Sequence, residues 1–333
     1  MIVFKRSLVL AAIASLVIPA GAAVADTWRM AHKQTAESIE GQMFQAFADK
    51  IGEKTGGEIT VEVYPSEQLG KDDAILEQLQ FGTVHLYPEG GSYLRKWVPD
   101  ITFMSAPFLF EDRDHWARFM ASDLVAGWLD QIEDEAGITV IGDQTKMVRG
   151  PYRVMVTAKP VEGLDDFSGL KLRMHPNELA ANAWRHLGAE VRTLAWTDVY
   201  ESIGRGIVEA VNSPIALVES MRFQEVAPHI VRHNEYPQGI AFMANAQAWN
   251  GLDDETKAQI LAAYDEVAAE FAPKTAAIAD EAIARMKESG VTYDEIDTTP
   301  IVAKMAEFYA ELDAAGELPE GFVATVRATQ ATQ

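Results

Sequence analysis

The stretch from Leu170 to Val211, LKLRMHPNELAANAWRHLGAEVRTLAWTDVYESIGRGIVEAV, decides the fold. Leu170, Leu172 and Met174 alternate with Lys171 and Arg173, the period-2 pattern of a strand with one face on a core. Leu179 to Leu187 then keeps helical spacing, with Ala183 and Trp184 on the apolar face, and Asp198 to Ile203 reads as a second helix. Ile207 to Val211 returns to a strand pattern. Strands separated by helices pair in parallel, because the crossover carries the chain back to the same edge of the sheet. The stretch therefore predicts an α/β protein with mostly parallel sheets covered by helices.

The same beat continues on both sides. Met43, Phe44, Phe47 and Ile51 recur at helical spacing until Gly56-Gly57, and Ile59, Val61 and Val63 alternate as a strand. Asp72 to Phe81 is a helix, and Thr83–Tyr87 and Ile138–Ile141 are short strands. Asp253 is an N-cap with Asp254 and Glu255 in the first turn. A long helical region runs from there toward Gly290, with a kink expected at Pro273. No internal repeat or low-complexity linker separates two halves. Two interleaved α/β domains joined by short crossings, with long C-terminal helices, fit better than two beads. The expected division is 26–149 plus about 238–275 for one domain, and about 150–237 plus about 276–333 for the other.

Residues 1–25 stand apart. Lys5 and Arg6 precede an apolar run from Leu8 to Val24, and Ala23-Val24-Ala25 is a small-x-small site. This predicts a cleavable secretory signal peptide cut after Ala25 and a periplasmic protein. The 333 residues contain no cysteine, which removes disulfides, thiol nucleophiles and cysteine metal sites. The net charge of −22 disfavours nucleic acid and anionic membrane surfaces as partners.

The charge is unevenly spread. Residues 26–145 hold 22 acidic and 9 basic side chains and residues 236–333 hold 17 and 6, but residues 146–235 hold 11 of each. That middle segment carries Arg149, Arg153, Arg173, Arg185, Arg192, Arg205, Arg222 and Arg232, a local attraction for a small anion. Arg153 and Arg173 sit in strand patterns. A guanidinium held on a rigid strand can grip a carboxylate through two parallel hydrogen bonds. His229 and His233 have i,i+4 spacing, but Pro228 argues against a helix there, so no metal site is expected. No P-loop, dinucleotide fingerprint, HExxH or complete nucleophile-elbow motif is present, and no cofactor is expected.

Four motifs in order carry a family resemblance: Tyr64-Pro65-Ser66-Glu67-Gln68-Leu69-Gly70, Ala106-Pro107-Phe108-Leu109-Phe110, Asp165-Asp166-Phe167-Ser168-Gly169-Leu170-Lys171-Leu172-Arg173, and Leu187-Gly188-Ala189 leading through Trp196, Val199 and Tyr200 to Asn212-Ser213-Pro214. Over nearly the whole chain from Trp28 it resembles the dicarboxylate-binding (DctP-type) subunits of tripartite ATP-independent periplasmic (TRAP) transporters. The resemblance implies a periplasmic binding protein fold, two α/β domains with a hinged cleft between them, one small ligand bound on closure, delivery to a membrane permease, and no catalysis. It implies that Arg173 pairs with the ligand carboxylate, that Arg153 assists, and that Asn212 contacts the same carboxylate. It places Trp196 against the ligand, and Lys33, Glu89 and Lys71 at polar contact positions. The chain departs from the family pattern at Gly204-Arg205-Gly206 and at Glu209-Ala210-Val211-Asn212, and Arg205 has no counterpart.

The expected ligand is a small organic acid, a dicarboxylate or a sugar acid. Glu89 could instead receive an amine or hydroxyls. The expected assembly is a monomer. Alternative readings are a secreted α/β hydrolase-like enzyme, or the binding subunit of another importer or of a sensor.

Overall fold

The computed structural model describes residues 26–330. The expected signal peptide and its cleavage site after Ala25 lie outside the described residues. Eleven strands alternate with helices: β1 Asp26–Ala31, β2 Ile59–Tyr64, β3 Leu86–Glu89, β4 Ile138–Ile141, β5 Arg153–Thr157, β6 Lys171–Met174, β7 Glu190–Thr193, β8 Ala210–Pro214, β9 His229–Arg232, β10 Ala241–Asn245 and β11 Thr292–Glu295. They form two sheets, ordered β2-β1-β3-β10-β4 and β11-β9-β5-β8-β6-β7. The fold is therefore two α/β domains, as the strand and helix periodicities predict.

Each sheet contains one strand that opposes its neighbours. In the first it is β10, antiparallel to β3 and β4. In the second it is β5, antiparallel to β8 and β9. These are the strands reached by crossing between the sheets, from β4 to β5 and from β9 to β10. The two crossing segments pair with each other: Arg149 N donates to Gln238 O at 2.9 Å and Ile240 N to Met147 O at 2.9 Å. Gly239 lies at this junction, bridged to Val148. A Cβ there would stand 2.4 Å from the carbonyl oxygen of Gln144, so only glycine fits the approach.

The reversal fixes the level of the side chains. Arg153 opens β5 and pairs with Pro214, which ends β8. Ala241 opens β10 and pairs with Glu89, which ends β3. The starts of the reversed strands thus lie beside the carboxyl ends of the parallel ones, where open α/β sheets place their ligands.

The helix Asp254–Glu288 runs unbroken through Pro273. Before the proline, Ile260, Tyr264, Val267 and Phe271 pack in one core with Phe44, Phe47 and Phe242. Beyond it, Ala279, Ala282 and Met286 pack in another with Val154, Val156 and Ile230. Burial along its whole length outweighs the hydrogen bond that Pro273 removes. The expected strand over Thr83–Tyr87 starts only at Leu86, because the amides of Thr83 and Val84 bond back to Gln78 O and finish the preceding helix. The strand expected at Ile207–Val211 likewise starts at Ala210, since the amides of Ile207 and Val208 close on Ser202 O. The C-terminal helix Phe322–Thr329 packs against the helix Arg113–Met120, where the Phe322 ring meets Phe119.

Candidate ligand-binding site

A pocket of about 430 Å³, its open mouth included, lies between the carboxyl ends of the two sheets. From the first domain come Lys33, which follows β1, Glu89, which ends β3, and Ser92 and Tyr93 from the turn after it. From the second come Arg173 on β6, His175 just past it, Trp196 beyond β7, and Asn212 and Pro214 on β8. Leu217 follows in the next helical turn. The crossing segments supply Arg149, Tyr236 and Gln238, and β5 supplies Arg153 at its start.

Six of the seven expected ligand contacts, Lys33, Glu89, Arg153, Arg173, Trp196 and Asn212, line this one pocket. The seventh, Lys71, does not. It stands exposed at the rim, where its Nζ lies 3.2 Å from Asp198 Oδ2 of the other domain. Glu67 and Thr197 also meet across the rim, with Thr197 Oγ1 donating to Glu67 Oε2 at 3.1 Å. Ser66 and Glu67 adopt left-handed backbone (φ 52° and 58°), and this turns the loop after β2 along the rim.

Among the described residues, the charges buried at the pocket are matched with one exception. Lys33 Nζ donates to Asp72 Oδ1 at 3.0 Å and to the Tyr93 hydroxyl at 2.9 Å, and it lies 3.0 Å from Glu89 Oε2. Arg149 Nη2 lies 2.8 Å from Glu89 Oε1, and its Nη1 lies 3.6 Å from Glu40 Oε2. Arg153 Nε donates to Glu235 Oε2 at 2.9 Å, and its Nη1 donates to Gln238. Glu235 also accepts from the Trp184 indole and from Asn212 Nδ2, the latter at 3.2 Å. Arg173 has no acidic partner among the described residues. Its Nε and Nη2 both donate to the Leu194 carbonyl, at 2.9 and 2.7 Å, and its guanidinium lies 5.4 Å from the centre of the Trp196 ring.

Titration follows from this pairing. Burial lowers Arg173 from 12.5 to about 10, and the nearby Tyr93 hydroxyl and Asp72 carboxylate offset only part of it. Burial also opposes the charged form of Arg153, but Tyr236 and Glu235 outweigh it and raise the group. Burial would push Glu89 up, yet Arg149 and Lys33 outweigh it and the carboxyl stays below its usual range. Glu40, buried behind Arg149, is raised to about 7, mainly by desolvation. His175 is pushed well below its usual value by burial and by Arg173, so it is a neutral ring beside the pocket.

Several residues in the lining or directly behind it escape the sequence reading. Arg149 belongs to the arginine-rich middle segment, but no strand pattern marks it; its place follows from the pairing of the two crossings. Tyr93 stacks on His175 across the cleft at 5.9 Å, a contact between domains that no local pattern reports. Glu235 and Gln238 lie in the second crossing, whose level is set by the reversed β10. His229 and His233 separate: His229 sits on β9 beside Thr292, while His233 is buried against Asn212.

Trp196 packs edge-on against Phe223 in the core of the second domain and keeps an indole N–H without a partner. The arrangement is a polar pocket with an open mouth, one unmatched cation among the described residues, several donors and aromatic walls, suited to holding an anion.

Comparison with known proteins agrees. The chain is 26% identical over 304 residues to the sialic acid-binding periplasmic protein SiaP of Vibrio cholerae, covering 90% of this chain and 93% of that one. It is 27% identical over 293 residues to the C4-dicarboxylate-binding periplasmic protein DctP of Rhodobacter capsulatus, covering 84% and 86%. Among solved structures it resembles a TRAP periplasmic solute-binding protein from Roseobacter denitrificans with bound β-D-glucuronate. That match has a TM-score of 0.80 and 25% identity, and it covers 92% of this chain and all of the other. These relatives are solute-binding proteins rather than enzymes. The profile of bacterial extracellular solute-binding protein family 7 matches residues 30–315, and the chain belongs to this family of periplasmic TRAP solute-binding proteins, the DctP family.

Proposed function

We propose that this chain captures one small hydroxylated organic carboxylate between its two domains and presents it to a TRAP membrane permease. The observation that carries this reading is Arg173, buried at 4% exposure with no salt-bridge partner among the described residues. A cation in that state destabilises the empty protein, and a carboxylate placed against it relieves the penalty. Arg173 sits between Asn212 and Trp196 in the lining of the pocket. Arg153 acts as a neighbour already matched by Glu235, and Asn212 is held by Glu235 and His233. Lys71 serves the closed rim rather than the ligand. The crossings at 142–152 and 233–240 are the hinge. The relatives named above bind a sialic acid, a C4-dicarboxylate and a glucuronate, all of them carboxylates.

A thermal-shift screen of organic acids on ligand-stripped protein tests the reading, because a ligand that binds the native state alone raises the melting temperature. At least one hydroxylated carboxylate is expected to raise it by several degrees, and the same acid is expected to be recovered unchanged after prolonged incubation. Recovery of a product would favour the hydrolase-like alternative. A flat screen across acids would remove the carboxylate assignment.

A further inference from the structure

We propose that Glu89 sets the charge of the ligand, so that the site accepts a singly charged hydroxylated acid and rejects the matched diacid. The inference rests on the reading that Arg173 holds the ligand carboxylate. It concerns the opposite end of the pocket, where the first domain contributes Lys33, Glu89, Tyr93 and Arg149.

A lysine and an arginine at that end suggest a place for a second carboxylate. The distances say otherwise. Glu89 is 1% exposed and stands between the two cations, 3.0 Å from Lys33 Nζ and 2.8 Å from Arg149 Nη2. Asp72 also takes Lys33, at 3.0 Å. Two positive groups therefore face two carboxylates before any ligand arrives, and Glu40 behind Arg149 adds no positive charge. A second ligand carboxylate would lose its water and gain no unmatched cation, which leaves its desolvation unrepaid. It would also stand near the Glu89 carboxylate, a like charge in a poorly solvated place. A ligand ammonium fares no better, because Glu89 is already engaged by two cations.

A hydroxyl suits the end well. It can donate to Glu89 and accept from the Lys33 ammonium or from the Tyr93 and Ser92 hydroxyls without any change in net charge. The pocket as a whole then offers one unmatched positive group, Arg173, which a single ligand charge satisfies.

The test uses matched pairs that differ only at C6: galactonate against galactarate, and gluconate against glucarate. Calorimetric affinities are measured for the full mature chain, for Glu89→Gln and for Asp72→Asn. Glutamine keeps the shape of Glu89 and can still accept from the Gly90 amide, which donates to Glu89 Oε1 at 2.8 Å. Asn at position 72 frees Lys33 without altering the pocket lining, so it tests the same idea if Glu89→Gln folds poorly. Wild type is expected to favour the monoacid of the pair it binds by at least tenfold. Glu89→Gln is expected to lower that preference at least tenfold, with Asp72→Asn moving it the same way by less. The inference is overturned if wild type binds the diacid as tightly as the monoacid. It is equally overturned if both variants weaken the two members equally, or if no member of either pair binds. Arg173→Ala, run in parallel, separates the two readings. Unchanged affinity there removes the anchor whatever the pairs show, whereas lost affinity without any monoacid preference in wild type removes only the role of Glu89.

Discussion

Removing the Arg173 guanidinium is the perturbation with the largest expected effect on binding. Burial lowers this group from 12.5 to about 10, a differential of roughly two and a half pKa units. At about 1.4 kcal/mol per unit, that is on the order of 3 kcal/mol of penalty carried by the ligand-free protein. A ligand carboxylate placed against the guanidinium recovers this energy and adds charge-assisted hydrogen bonds. Arg173→Ala is therefore expected to cost about 2–5 kcal/mol of binding, the usual range for breaking a buried hydrogen-bonded charge pair. That corresponds to about 30-fold to several-thousand-fold in affinity. Arg173→Lys is expected to restore only part, since a lysine brings the charge without the planar fork. Because the penalty sits in the empty protein, Arg173→Met is expected to melt no lower than wild type when ligand-free, while binding is lost. The assay is calorimetry on ligand-stripped protein, paired with melting curves. Binding by Arg173→Ala within about threefold of wild type would refute the anchor. A ligand-free Arg173→Met that melts several degrees lower would show that the two bonds to Leu194 hold the fold rather than serve the ligand.

Three other outcomes are expected. Lys71→Ala or Asp198→Ala loosens the rim without touching the pocket, so affinity is expected to fall less than about fivefold, as for an exposed ion pair; a hundredfold loss measured by calorimetry would place Lys71 on the ligand. Glu40, raised from 4.5 to about 7 by burial, favours the protonated folded state, so its contribution to stability is full below pH 4.5 and is lost as pH rises through 7. Glu40→Gln is accordingly expected to gain on wild type by up to about 3 kcal/mol between pH 5 and pH 8 in denaturant titrations, and a pH-independent difference would contradict this. The association rate of an acidic ligand is expected to fall as salt rises, because Arg173 and the basic stretch around it attract the anion locally. The net charge of −22 opposes the attraction. Stopped-flow rates that rise or stay flat with salt would show that the global charge governs encounter.

Much of the fold is legible because the periodicities are local. The alternation around Arg173 places a strand at β6, and the helical spacing around Phe44 and Trp184 gives the covering layers. The boundaries that shift, at Leu86 and Ala210, do so where helix-closing hydrogen bonds consume the first amides of the apolar run. The site is legible in part. Arg173 and Arg153 stand in strand patterns, but strand patterns do not reveal direction. The antiparallel setting of β5, which raises Arg153 to the level of Pro214, comes from pairing between residues far apart in the chain. The charge matching was out of reach for the same reason: nothing local joins Glu89 to Arg149, or Arg153 to Glu235. The family resemblance implies a ligand contact at Lys71, just after the Leu69-Gly70 turn. The left-handed Ser66 and Glu67 carry that turn along the rim instead.

The central claim is that one organic acid sits intact between the two domains. Native mass spectrometry of the mature protein, incubated with a mixture of hydroxylated carboxylates and then desalted, tests it most directly. The expected result is a single adduct per chain, with the mass of an unmodified acid present in wild type and missing in Arg173→Ala. A bare chain under saturating ligand, a second equivalent bound, or a released compound of altered mass would contradict it.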